Sequence, residues 1–142
     1  MRRNSLTGAS NAANSDESGT AERALVSVVD DDESVRESLP DLLRVLGYEA
    51  EAFSSAEELL RSGYIARSSC LILDITMPGM SGPDLLRELR RRGQVVPVVF
   101  VTAERDGTVR SRVIEQGAVD CLLKPFSDAA LHGALKAALE SA

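Results

Sequence analysis

From residue 24 onward the chain alternates between two kinds of segment. Short apolar, β-branched runs occupy Ala24–Val29, Tyr48–Phe53, Cys70–Leu73, Pro97–Val101 and Val119–Leu123. Three of them are continuous rather than alternating, as expected of parallel strands covered on both faces. Between them lie segments with helical periodicity. Glu33–Leu46 places Val35, Leu39, Leu42, Leu43 and Leu46 on one face, and Gly47 follows as a stop. Ser54 or Ser55 can cap a short helix through Leu60, with Glu57 and Glu58 in its first turn. Pro83 suits the first turn of a helix carrying Leu85, Leu86 and Leu89, ending near Gly93. Asp106 or Thr108 opens a fourth helix with Val109, Val113 and Ile114, closed by Gly117. Ser127 caps a fifth with Leu131, Leu135 and Leu139 at four-residue steps. Five strands and five helices in strict alternation predict βαβ units, hence an α/β fold with one parallel sheet covered by helices on both faces. The pattern alone leaves the strand order open.

Residues 1–23 differ in kind. Asn, Ser, Ala, Thr and Gly dominate, and Leu6 is the one large aliphatic side chain from Asn4 to Thr20. Such a segment buries too little apolar area to offset its ordering entropy, so it is expected to be a disordered tail. Residues 24–142 then form a single domain. The two arginines near the N-terminus precede no apolar stretch, so no secretory signal is read there. No apolar run approaches the length of a membrane span. The formal net charge is −6 and the pI is about 4.8, which speaks against nucleic-acid binding. Cys70 and Cys121 lie inside apolar runs and form no C-x-x-C pair, which suits a reducing cytoplasm.

In an open parallel sheet, chemistry collects beyond the carboxyl ends of the strands. The first strand delivers Asp30-Asp31-Asp32-Glu33 there, the third Asp74, the fourth Thr102-Ala103, and the fifth Lys124-Pro125-Phe126. Carboxylates gathered at one edge repel and need a counter-charge. Oxygen ligands of this kind suit Mg²⁺. Lys124 is one of two lysines among sixteen basic residues, and a compact ammonium suits a point contact to a carboxylate or phosphoryl oxygen. Taken singly, each has a plainer reading. The aspartates can cap a helix, Asp74 can start a turn, Thr102 can be a cap, and Lys124 can be solvated. Together, at the ends of several core strands, they predict a site.

The blocks Val28-Val29-Asp30-Asp31-Asp32, Leu73-Asp74-Ile75-Thr76-Met77-Pro78-Gly79-Met80-Ser81-Gly82, Val101-Thr102-Ala103 and Lys124-Pro125-Phe126 resemble the signature of the two-component response regulator receiver domain. The wording, including Gly117-Ala118-Val119-Asp120, is most similar to receivers of the FixJ type within the CheY-like superfamily. This resemblance implies the flavodoxin-like strand order 2-1-3-4-5. It implies that Asp74 is the phosphoacceptor and that Asp30, Asp31 and Asp74, with the Thr76 backbone carbonyl, hold Mg²⁺. It also implies that Thr102 and Lys124 contact the phosphoryl group and that the Lys124–Pro125 bond is cis. The implied partners are a sensor histidine kinase or histidine phosphotransfer protein and a downstream protein target. No direct contact with nucleic acid or membrane is expected, and the chain should be a monomer or a weak phosphorylation-dependent dimer. It is not an enzyme beyond its own phosphorylation and slow dephosphorylation.

One position departs from the family. Receivers usually carry Tyr or Phe three residues before the lysine, and here that residue is Cys121. Two other readings follow from the same residues. A pseudo-receiver would only bind proteins. An aspartyl-nucleophile phosphatase would need a second acid two residues after Asp74, where Thr76 stands. His132, the single histidine, and the run Arg87, Arg90, Arg91, Arg92 read as solvated helix positions. The chain reaches Ala142 straight after the fifth helix, so an output through a protein partner is expected. That partner would use the receiver as a phosphorelay shuttle, a phosphate sink or an allosteric binder, whether it stands alone or belongs to a longer regulator.

Overall fold

The computed structural model describes residues 23–140. The expected tail, residues 1–23, lies outside them except for Arg23, an exposed residue whose guanidinium donates to the Arg44 carbonyl at 3.4 Å. The strands are β1 (Leu25–Val29), β2 (Glu49–Phe53), β3 (Cys70–Asp74), β4 (Val98–Thr102) and β5 (Asp120–Leu123). The helices are α1 (Glu33–Val45), α2 (Ala56–Ser62), α3 (Gly82–Arg91), α4 (Gly107–Glu115) and α5 (Asp128–Glu140). All strand pairs are parallel, in the order β2-β1-β3-β4-β5. This is the flavodoxin-like 2-1-3-4-5 arrangement.

The sheet divides the core in two. Val26, Val28, Cys70, Ile72, Val99, Val101 and Leu122 pack toward Leu39 and Leu43 of α1 and Leu131 and Leu135 of α5. Val29, Leu71, Leu73, Val98, Phe100 and Cys121 pack toward α2, α3 and α4. Period-2 alternation within each strand thus feeds both layers. This is why β3 and β4 are buried at every position and carry no polar side chain until their last residue. Ser27, buried at the centre of β1, is neutralised by a 2.7 Å hydroxyl–hydroxyl hydrogen bond to Ser68.

The caps fall where short polar side chains precede apolar periodicity. Of the paired alternatives, Ser55 caps α2 by accepting from Glu58, and Asp106 caps α4 by accepting from Thr108. Ser127 caps α5 through the Ala130 N–H. Ser81 and Asp84 form a reciprocal capping box at α3. α1 continues through Pro40, which removes the N–H that would bond to the Arg36 carbonyl, while burying its ring beside Leu39 and Leu43. A short 3₁₀ turn, Ile65–Arg67, precedes β3 and has no apolar periodicity to announce it.

Two strand ends differ from the sequence expectation in a way that matters. β3 and β4 each run one residue further, so Asp74 and Thr102 are the last paired residues and not the first loop residues. Asp74 lies opposite Val101, and Thr102 opposite Leu123. The Ile75 N–H, donating to the Val101 carbonyl at 3.0 Å, continues the ladder past Asp74. The acid is therefore held by sheet hydrogen bonds on a backbone that cannot easily shift.

Gly82, the first residue of α3, lets that helix approach the end of β3. A Cβ there would lie 2.3 Å from the Asp74 carbonyl oxygen and 2.8 Å from the Phe100 ring. The backbone oxygen cannot rotate away. Gly82→Ala is expected to cost about 1–3 kcal/mol, the range for forced overpacking, measured as a fall in the urea midpoint. An unchanged midpoint would mean that α3 is free to move outward.

Candidate functional site

The six expected site residues, Asp30, Asp31, Asp74, Thr76, Thr102 and Lys124, come from four segments that meet at the carboxyl ends of the strands. Asp30 follows β1, and its N–H donates to the Phe53 carbonyl at 3.1 Å. Asp74 ends β3, Thr102 ends β4, and Lys124 follows β5 with its N–H donating to the Thr102 carbonyl at 2.7 Å. The Lys124–Pro125 peptide is cis, as expected. Asp30, Asp74 and Thr102 are buried, whereas Asp31 is exposed. Asp32, the third of the aspartates, is the cap of α1 and accepts from both the Ser34 N–H and its hydroxyl. Those hydrogen bonds hold its carboxyl below the usual carboxylate range. The run of three acids thus splits into a helix cap and a pair for the site.

Carboxylate oxygens of Asp30, Asp31 and Asp74 lie within 4.8 Å of one another. Asp30 has both oxygens engaged. One accepts the Asp32 N–H at 2.9 Å and the other accepts Lys124 Nζ at 2.9 Å. Lys124 Nζ also lies 3.5 Å from Asp74, so one ammonium serves two buried acids. Burial opposes the charge on Lys124, but the hydrogen bond to Asp30 and the attraction of both acids outweigh it, and its pKa rises. Asp74 accepts the Thr76 N–H at 3.4 Å. Burial first, and the Asp30 charge second, push the Asp74 carboxyl up to about 6, against the pull of Lys124.

Oxygen donors grouped in this way fit a hard divalent cation. The division of labour is visible in their contacts. Asp30 is tied by one oxygen to Lys124 and by the other to the turn, whereas Asp74 has only the longer approaches of the Thr76 N–H at 3.4 Å and Lys124 at 3.5 Å. Such a site costs stability when it is charged and no cation is bound. For Asp74 the folded pKa, about 6, lies above the ordinary value of 3.8. The native state therefore binds the proton more tightly than the unfolded chain. The stability this supplies is present below 3.8 and is lost as pH rises through about 6.

Thr102 Oγ1 accepts the Glu104 N–H at 3.0 Å, which orders the start of the loop toward α4 and leaves the hydroxyl proton available to donate. Cys121 packs among the apolar side chains on the α4 side of the sheet, and burial pushes its thiol pKa up, so it is no thiolate. Cys70 is pushed up to about 12 in the same way.

Three supporting contacts escaped the sequence reading. Glu57, expected only as a first-turn acid, accepts the Met80 N–H at 3.2 Å and so steadies the loop after Asp74. Arg36 donates to the Asp30 carbonyl at 3.1 Å. Arg90, exposed at the end of α3 as expected, also crosses to the end of α4 and donates to the Gln116 carbonyl at 2.9 Å. Its neighbours Arg91 and Arg92 both pair with Glu88, and Arg87 pairs with Asp84, as helix-surface cations do. His132 is exposed on α5, away from these groups.

With a chelator present, the protein is expected to gain about 1 kcal/mol of stability between pH 7 and pH 5 from Asp74. Asp74→Asn should flatten that part of the profile and be more stable than wild type at pH 7. Urea unfolding at the two pH values measures both, and an Asp74→Asn profile parallel to wild type would assign the titration elsewhere.

The comparisons with known proteins agree with this geometry. Residues 26–136 match the family model described as the response regulator receiver domain. Nodulation protein W of Bradyrhizobium diazoefficiens is 45% identical over 118 residues, covering 83% of this chain and 52% of that protein. The transcriptional regulatory protein FixJ of Azorhizobium caulinodans is 40% identical over 114 residues, covering 80% and 54%. The chain thus spans about half the length of the curated relatives it matches. Among solved structures, the response regulator StyR superposes with a TM-score of 0.77 at 41% identity, covering 84% of this chain and 60% of that one. The structure titled FixJ-N gives 0.77 at 32% identity, covering 86% and 98%. Fold, edge-of-sheet acids and sequence point the same way, and the chain belongs to the response regulator receiver domain family.

Proposed function

We propose that the chain accepts a phosphoryl group on Asp74 from a phosphohistidine of a sensor kinase or phosphotransfer protein, and that the modification alters the surface it offers to a protein target. The observation that carries this reading is the meeting of Asp30, Asp31 and Asp74 within 4.8 Å, with Lys124 reaching both buried acids. Receivers of this family bind Mg²⁺ at an acidic pocket. Here Asp31 and Asp74, with the Thr76 backbone carbonyl, would be its protein ligands and Asp30 would orient them. Bound there, Mg²⁺ supplies positive charge opposite the phosphoryl oxygens.

The chain's own residues do the rest. An Asp74 carboxylate oxygen attacks phosphorus, the new O–P bond forms as the N–P bond to imidazole breaks, and the imidazole leaves with the bonding pair and takes up a proton. The Lys124 ammonium neutralises charge on the transferred group, and the Thr102 hydroxyl donates to one of its oxygens. Lys124 then exchanges part of its contact with Asp30 for one with the phosphoryl group. No described helix is long and apolar enough to cross a membrane, and a cytoplasmic location fits the family. The relatives named as transcriptional regulators suggest an output on gene expression. In this reading it passes through a protein contact, not through nucleic acid bound by these residues.

Intact mass after incubation with acetyl phosphate tests the proposal. Wild type should gain one phosphoryl group with Mg²⁺ and none with chelator, and Asp74→Asn should gain none. A gain that survives in Asp74→Asn would name another acceptor. No gain in wild type would favour the pseudo-receiver, and sustained turnover of a small phosphate ester would favour the phosphatase.

Beryllofluoride, a phosphoryl mimic, tests the contacts. Thr102→Ala and Lys124→Arg should each lose most of the amide chemical-shift response outside the site, the latter because a planar fork replaces a point charge. Cys121→Ala should keep most of it. A lost response in Cys121→Ala with a normal one in Thr102→Ala would make the thiol position the working half of the switch.

A further inference from the structure

The family's aromatic switch position is occupied by Cys121, and a different side chain, Arg110, links α4 to β5 at that position. Arg110, on the second turn of α4, places Nη1 2.7 Å from Asp120 Oδ1 and 2.7 Å from the Cys121 carbonyl oxygen. The same Asp120 oxygen accepts the Cys121 N–H at 2.7 Å. One guanidinium and one carboxylate thus bracket the backbone of residue 121 on both sides. Cys121 itself packs inward among the apolar side chains on the face that α4 covers. At this position a small side chain packs inside and an ion pair lies outside.

The setting of this contact links it to the site. Cys121 is three residues before Lys124 on the same chain segment, and Thr102, opposite Leu123, opens the loop that leads to α4. The contact is made in an arrangement where Lys124 is bonded to Asp30 at 2.9 Å and stands 3.5 Å from Asp74. In the same arrangement Thr102 Oγ1 is bonded to the Glu104 N–H. Drawing Thr102 and Lys124 toward a phosphoryl group pulls on both ends of this assembly. A displacement of the start of α4 relative to the end of β5 would strain the contacts of Arg110 with Asp120 and the Cys121 carbonyl. At its far end α4 is held separately by Arg90, bonded to the Gln116 carbonyl.

We propose that Arg110 is a positioning residue that holds α4 on β5 in place of the missing ring, and that its contacts with Asp120 and the Cys121 carbonyl are given up when Asp74 is phosphorylated. The proposal rests on the phosphoacceptor reading above. Arg110 touches neither the acids nor the phosphoryl group. It acts through the free-energy difference between two arrangements of α4, because an interaction shifts an equilibrium only by what it contributes to one state and not the other. The pair is half-exposed, with side chains 57% and 29% accessible. An ion pair of this kind is worth up to about 1 kcal/mol, so releasing it should favour the switched arrangement about two- to fivefold.

The test titrates beryllofluoride into the Mg²⁺-loaded full chain and follows amide chemical shifts. Arg110→Ala and Asp120→Asn should each lower the midpoint about two- to fivefold. Asp120→Asn keeps an oxygen for the Cys121 N–H, so it removes the pair while leaving the turn. The double variant should gain no more than the larger single effect, as expected when both substitutions break one interaction. Mg²⁺ affinity without beryllofluoride should match wild type in all three, which a disturbed acidic pocket would not give. Midpoints equal to or above wild type, or additive effects, would overturn the inference. Should Arg110→Ala fail to fold, the Asp120→Asn midpoint decides alone. A wild-type chain that neither binds beryllofluoride nor phosphorylates on Asp74 refutes the phosphoacceptor reading. A responsive wild type with unresponsive variants refutes only the role of Arg110.

Discussion

Buried carboxylates repel, and much of this molecule is arranged so that they can be held together at one edge of a sheet. The backbone supplies the restraint. Asp74 is still inside the β3 ladder, flanked by the Ile75 N–H to Val101 hydrogen bond, and Asp30 is fixed by its N–H to the Phe53 carbonyl. The compensation is a single ammonium, Lys124, delivered from the far strand and bonded to Asp30 while it stands near Asp74. The balance is incomplete: burial first, and the Asp30 charge second, leave the Asp74 carboxyl above its ordinary range. On the proposed phosphoacceptor reading, that residual cost favours the chemistry of the site. A pocket with unneutralised carboxylate favours a cation, and a carboxylate that is poorly stabilised gains more from reacting with an electrophile than a well-paired one.

Holding the acids requires that nothing else compete for the space. α3 begins against the Asp74 carbonyl, which only the absence of a Cβ at Gly82 permits. The loop between β3 and α3 is bound from outside by Glu57 through the Met80 N–H. On the other side, the Lys124 N–H to Thr102 carbonyl bond fixes the height of β5 against β4. Each is a backbone contact, and each limits sliding along the strand direction, to which the distances between the acids are most sensitive.

Much of this was legible in the sequence because the relevant signals are local. Apolar runs gave the strands, four-residue spacing gave the helix faces, and the residues directly after each run gave the site. The strand order was not legible from periodicity; it came with the resemblance of the motif blocks. The ends of β3 and β4 were placed one residue short, because the apolar runs stop at Leu73 and Val101 and the pairing of a polar last residue is decided by the neighbouring strand. Arg90, Arg110 and Glu57 were invisible for a different reason. Each bonds to main-chain groups 26, 11 and 23 residues away. A backbone carbonyl or N–H has no sequence signature, so a long charged side chain that seeks one looks like any solvated charge on a helix. The resemblance assigned the first two acids of Asp30-Asp31-Asp32 to the site; that the third caps α1 through Ser34 needed the geometry.

On the proposed reading, the replacement of a ring by Cys121 leaves the switch to be built from other forces. A rotating aromatic side chain would couple the site to the surface through packing, which changes steeply with small displacements. A thiol packed inward gives up that lever. What remains on the same face is electrostatic: Arg110 to Asp120 and to the Cys121 carbonyl. Such contacts are longer in range, softer with distance and partly open to solvent, so they are also screened by salt where a ring would not be. A receiver that relies on them should have a smaller gap between its two arrangements, since an exposed ion pair contributes less than a buried ring. The Thr102 hydroxyl and the loop behind it then carry more of the coupling, through the Glu104 N–H and the first turn of α4. On that reading, a phosphoryl group on Asp74 acts on a surface held by weaker ties, and the response depends on how those ties are divided between the two ends of α4.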